Sequence, residues 1–258
     1  MTAFAPVTVA PMSPGRLIGA YLSDAKWESL RLLRTPAFSI PILAMPILFY
    51  LFFGVLLAGG RAHGPAANWM FVGWTVYAVM GPGLFGFGIL VAVERNMGLL
   101  TFKRALPMPT GSYLTSKLLM ALLFAIVVMV MLVATALTVG HVTLSSGQMA
   151  TVAAVMSLGV IPACAIGLFI GAFAPASSAA AFANIVYLSM AFLSGLFFPL
   201  PMALQPFKAI WPTYHLKELA LASASLPSEG SVGGHVAVLT GLTVVLTTLA
   251  ARKLARLG

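Results

Sequence analysis

Side chains able to do acid–base, nucleophilic or metal chemistry are few in this chain and widely separated. Four histidines, His63, His141, His215 and His235, and one cysteine, Cys164, make no set with the spacing of a metal site. All four histidines fall in or near loops on one side of the layout derived below, where solvated histidine is the plain reading. A single cysteine excludes an intrachain disulfide. Gly111 to Lys117 offers a glycine and a lysine, but at the wrong spacing for a phosphate-binding loop and with no Ser or Thr after the lysine. The chain therefore cannot hydrolyse ATP by that mechanism on its own. Neither a Gly-x-Ser-x-Gly elbow nor a kinase set occurs. A membrane-embedded enzyme needs clustered His, Asp, Glu or Cys near one membrane face, and none is found.

One stretch combines charge, chain breakers and apolar residues at helical spacing. It runs from Glu94-Arg95 through Gly98 to Pro107 and Pro109, followed by Tyr113 and Lys117. Its middle can form a short amphipathic helix, with Leu99, Leu100, Phe102 and Leu106 apolar and Lys103 and Arg104 basic. Pro107 stops that helix. Such an element is shaped to dock on a partner; a basic loop resting on lipid headgroups is the reading that composition alone favours.

The elements that hold this stretch follow from composition. Of 258 residues, 60% are hydrophobic and 7% charged, against roughly 25% charged in a soluble domain. Asp, Glu, Lys and Arg are absent from Thr35 to Gly60, Ala62 to Val93, Leu118 to Phe207 and Gly230 to Ala251. A spanning helix needs about 20 mainly apolar residues. The first, second and fourth stretches each hold one, and the third holds three, divided near 140–148 and 175–178. The spacing predicts six spans, near 37–58, 69–93, 112–139, 149–173, 179–199 and 234–251. The apolar runs are continuous rather than alternating, which excludes a membrane β-barrel. The fold class is an all-α membrane protein.

The net charge of +9 could suggest nucleic acid, but its distribution reads as topology. Arg16, Lys26, Arg31 and Arg34 precede the first span; Arg95, Lys103, Arg104 and Lys117 lie between the second and third; Arg252, Lys253 and Arg256 follow the last. Only Arg61, Lys208 and Lys217 fall opposite. The excess of Lys and Arg places both termini in the cytoplasm, with anionic lipid as the nearest partner. Residues 1–15, rich in proline and free of charge, read as a disordered cytosolic tail rather than a signal peptide. Residues 16–36 read as an amphipathic helix in the membrane interface, with Leu17, Ile18, Tyr21, Leu22, Ala25, Leu32 and Leu33 on one side. Glu28 and Ser29 interrupt that stripe. Residues 37–258 form the six-helix domain, whose long external loop, 200–233, can fold back into the bilayer as short helices. Gly81-Pro82-Gly83, Gly86 and Gly88 in the second span suit either a kink or close helix packing, with packing preferred, and Gly167-x-x-x-Gly171 in the fourth permits close helix contact. No span interior carries a charge, which counts against a carrier dependent on a buried carboxylate.

The 94–117 segment resembles the first cytosolic loop of the type 2 family of ATP-binding-cassette exporter permeases. Glu94, Gly98, Pro107, Pro109, Tyr113 and Lys117 match its spacing. Arg34-Thr35-Pro36 is similar to the Arg-x-Pro before the family's first span. Ser194-Gly195-Leu196-Phe197-Phe198-Pro199 is similar to the motif closing its fifth, and Pro212 to a proline of its external loop. Thr101 departs from the charged residue usual there, and Lys217-Glu218 stands near the place of a frequent arginine.

The resemblance implies a permease subunit of an ATP-driven exporter in the inner (plasma) membrane. It implies a pathway formed by two permease copies, identical or related, coupled to separate cytosolic ATPase subunits. ATP and Mg belong to that partner; this chain binds no cofactor or metal of its own. Glu94, Gly98, Leu99, Phe102, Arg104 and Leu106 are the implied ATPase-coupling residues, with Glu94 and Arg104 as polar contacts at the rim. Trp74, Tyr77, Phe85, Asn184, Tyr187 and Phe192 are the candidate pathway-lining residues. An ATP-independent channel or secondary carrier remains the alternative.

Overall fold

A computed structural model describes residues 13–57, 64–100, 102 and 111–256. Most of the tail expected at 1–15 lies outside the described residues, as do Arg61, His63, Lys103, Arg104, Leu106, Pro107 and Pro109. Eight helices are named here: α1 (Pro14–Leu33), α2 (Pro36–Leu56), α3 (Pro65–Asn96), α4 (Ser112–Val139), α5 (Ser146–Phe173), α6 (Ala176–Leu193), α7 (Pro212–Ser223) and α8 (Val232–Ala255). Six of them, all but α1 and α7, are long and apolar enough to cross a membrane. The protein is therefore a multi-pass, all-helical membrane protein, as composition predicts. "Basic side" here means the side where α1, the α3–α4 connection and the end of α8 carry most of the Lys and Arg.

Helix starts follow proline and small polar chemistry. Pro36, Pro65 and Pro212 each open a helix, where the missing N–H is one of those left unpaired anyway. α5 opens with a capping box: the Ser145 hydroxyl accepts from the Gln148 amide N–H, and the Gln148 side chain accepts from the Ser145 N–H.

α3 is the axis of the bundle. Its middle, Pro82–Ile89, widens into π-helical geometry, where Pro82 cannot donate into the helical ladder. The second half of α5 packs most closely against this segment and against α8. Glycines make the approach possible. A Cβ at Gly88 would stand 2.5 Å from the Gly167 carbonyl oxygen, and one at Gly83 2.5 Å from the Ala163 Cβ. The packing reading of these glycines is the one the structure supports, together with a local distortion of the helix.

The 200–233 loop contains a 3₁₀ turn, Gln205–Ile210, and the helix α7. α7 is buried almost all round, among α3, the first half of α5 and α8. Its entry is fixed by the Thr213 hydroxyl, which donates to the Met190 carbonyl at 2.7 Å. Its exit is fixed by the Gln148 amide, which donates to the Ala224 carbonyl at 2.6 Å.

Candidate functional site

On the basic side, α1, α3 and α4 meet around a closed group of charges. Lys117, five residues into α4, has no solvent exposure. Its Nζ lies 2.7 Å from Glu28 Oε1 on α1 and 3.0 Å from Glu94 Oε2 on α3. Arg31, one turn beyond Glu28, reaches Glu28 at 2.8 Å and Glu94 at 2.9 Å. The Tyr113 hydroxyl donates to Glu94 Oε2 at 2.8 Å. Two carboxylates and two cations balance, so three helices share one neutral network, buried at Lys117, Glu28 and Glu94 and open to solvent at Arg31, whose side chain is 48% exposed. Next to it, Arg95 donates to the Ala172 and Ala174 carbonyls at the end of α5. These carbonyls lack partners within the helix, and a cation suits a helix C-terminus.

Two expectations are corrected here. Charge-free span interiors hold for the middle of each span among the described residues. At the basic end, however, Glu94 and Lys117 lie inside α3 and α4 and are buried. Glu94 is also no rim residue: its carboxylate is 5% exposed and faces α1 and α4. Sequence reasoning missed the network as a unit. Its trace was the interruption at Glu28 and Ser29, both buried because they face α4. The apolar stripe of α1 divides accordingly. Ala25 and Leu32 pack inward, while Leu17, Ile18, Leu22 and Leu33 stay exposed.

Beyond α3 the chain turns at Gly98, whose φ of +71° is open to glycine at little cost. The next turn is helical, with the Phe102 N–H donating to the Gly98 carbonyl at 3.1 Å. Met97, Leu99 and Phe102 are exposed there, Phe102 at 62%. Arg104 and Leu106 lie outside the described residues.

A second feature lies between α2, α3 and α6: an open cleft of about 470 Å³. Of the six lining candidates, Tyr77, Phe85, Asn184 and Tyr187 border it. Tyr77 and Tyr187 stack at 4.5 Å, and the Tyr187 hydroxyl donates to the Tyr77 carbonyl at 2.9 Å. Trp74 and Phe192 are not in the cleft wall. Trp74 belongs to the aromatic cluster beside it, 4.2 Å from Phe197 and stacked on Phe53 at 6.2 Å, and Phe192 is exposed. Pro41, Pro46 and Phe49 of α2 line the cleft as well; the apolar first span gave no sign of this.

The family described as ABC-2 type transporter matches residues 21–223, from α1 to the end of α7. The chain belongs to the ABC-2 type transporter family. Among curated relatives, a chain of Bacillus subtilis (strain 168), "Putative transport permease YvfS", is 26% identical over 193 residues, covering 73% of this chain and 78% of that one. The ABC-2 match spans both the charge network and the cleft. The protein is a transport permease of the ABC-2 family.

Proposed function

We propose that this permease is the membrane subunit of an ATP-driven exporter, working as a pair of copies on separate ATP-binding-cassette subunits. The observation that carries this reading is the junction of the charge network with the exposed turn after it. Met97, Leu99 and Phe102 present apolar surface on the turn that leaves α3, a feature of binding sites rather than of solvated loops. The same helix end is tied through Glu94 to α1 and α4. A partner that moves the turn therefore moves three helices together. The basic side faces the cytoplasm in this reading, and α1 lies in the interface with Leu17, Ile18 and Leu22 toward lipid. The cleft is open in the single chain; a second copy closes it, and alternating access follows from rocking the two copies on their ATPases. Tyr77, Tyr187 and Asn184 suit an amphipathic, largely apolar cargo.

The test is purification from the native membrane with its neighbouring ATPase, followed by ATP turnover in lipid with a panel of amphipathic compounds. Copurification and compound-stimulated turnover are expected. Transport by the purified chain in vesicles without any ATPase would favour the channel or carrier instead.

A further inference from the structure

His215 of α7 and His235 of α8 are both buried, with their Nδ1 atoms 2.8 Å apart. The other nitrogen of each ring faces a backbone carbonyl. His215 Nε2 lies 2.9 Å from the Ala209 oxygen, and His235 Nε2 lies 2.7 Å from the Glu229 oxygen. A carbonyl oxygen can only accept, so both Nε2 atoms carry hydrogen. A neutral imidazole has one N–H. Two neutral rings would therefore point lone pairs at each other across the short Nδ1–Nδ1 gap. One additional proton turns that repulsion into a hydrogen bond.

We infer that His215 and His235 form a proton-binding site, in which one proton held between the two Nδ1 atoms fastens α7 to the last span. The charged and titratable groups around the pair are compatible with a single proton. α7 itself brings Tyr214, Lys217 and Glu218; the preceding 3₁₀ turn brings Lys208; the loop into α8 brings Glu229. Lys208 pairs with Glu229 at 2.7 Å, and Lys217 approaches Glu218 at 3.7 Å. The faces of α3, α5 and α8 near α7 carry no Asp, Glu, Lys or Arg. Burial opposes charge on His215 and holds its pKa below the ordinary value, so the pair keeps its proton only through the Nδ1–Nδ1 hydrogen bond and takes it up on the acid side of the usual histidine range. Losing the one proton leaves two choices. The lone pairs face each other, or one ring changes tautomer and abandons its carbonyl. Either loosens the α7–α8 contact, so the fastening is present where the pair is protonated and is lost as rising pH removes the proton. The site does not depend on the exporter reading.

The experiment uses the full chain in lipid nanodiscs with ¹⁵N-labelled histidine, followed from about pH 5 to about pH 8. Signals are assigned with His63→Gln and His141→Asn. Both Nε2 atoms should show the shift of a protonated nitrogen. The two Nδ1 atoms should show a shared, intermediate shift that disappears in one step as pH rises. Amide exchange of residues 213–223, corrected for its intrinsic pH dependence, should accelerate several-fold over the same step in the parent and stay flat in His235→Gln. Two unprotonated Nδ1 atoms across the whole range would overturn the assignment. So would an exchange profile shared by parent and variant. If His235→Gln does not fold, the nitrogen shifts of the parent decide by themselves.

Discussion

Lys117 reaches no solvent, and both carboxylates that meet its Nζ are themselves nearly buried. Removing one member of such a set leaves charge without a partner, which costs about 3–5 kcal/mol in protein interiors. Lys117→Met should lower the melting temperature of the purified chain by that order of destabilisation. Lys117→Met with Glu94→Gln should recover part of the loss, because one stranded carboxylate becomes neutral. Equal melting of parent and Lys117→Met would show that the network is solvated. At this scale the sequence was only partly legible. Glu94, Tyr113 and Lys117 stood out through the family's spacing, and Tyr77, Phe85, Asn184 and Tyr187, four of the six pathway-lining candidates, border one cleft. Glu28 read as an interruption, because helical periodicity records which face is apolar and not which charge meets another 89 residues away.

The helices were legible because about 20 uncharged residues in a row admit few structures. Their detailed geometry was not. The π-helical widening at Pro82–Ile89 depends on what α5 places opposite α3, a tertiary fact. Gly88→Ala should test that contact. Its added methyl meets the Gly167 carbonyl, and overpacking of this kind costs about 1–3 kcal/mol; thermal melting beside Gly15→Ala, a position with open space, gives the comparison. The turn after α3 carries a different prediction. Phe102, at 62% exposure, adds nothing to the fold that a melting curve would detect. As a buried anchor in a complex it is worth upward of about 1 kcal/mol. Phe102→Ala should reduce ATPase copurification about fivefold or more at unchanged melting temperature, and Arg104→Ala should reduce it less. Parental binding by Phe102→Ala would reduce the turn to a headgroup-bound loop.

Across the whole molecule, charge asymmetry and helix count agree. With Arg61 and His63 aside, the described cations of the side opposite the basic one are Lys208 and Lys217, and both have carboxylate neighbours. The cations at the end of α8, Arg252 and Lys253, enter no ion pair among the described residues, and the Lys253 ammonium lies 5.9 Å from the Phe173 ring centroid. Cysteine labelling on a Cys164→Ala background should mark Met202 and Glu229 positions from outside intact cells. Gly98 and Arg256 positions should react only after lysis. External reaction at Gly98 would invert the orientation drawn from the positive-inside rule.

The charge network also orders the biogenesis of the protein. Glu28 is synthesised 89 residues before the lysine that neutralises it, an interval of about 4 to 18 s at roughly 5–20 residues per second. During that time α2 and α3 are already entering the membrane, and Glu28, with only the half-exposed Arg31 of its own helix beside it, stays with water. α1 therefore waits at the surface while the spans beside it insert, and docks only when the head of α4 arrives. α1 leaves the ribosome before the spans it joins and finds its place after them.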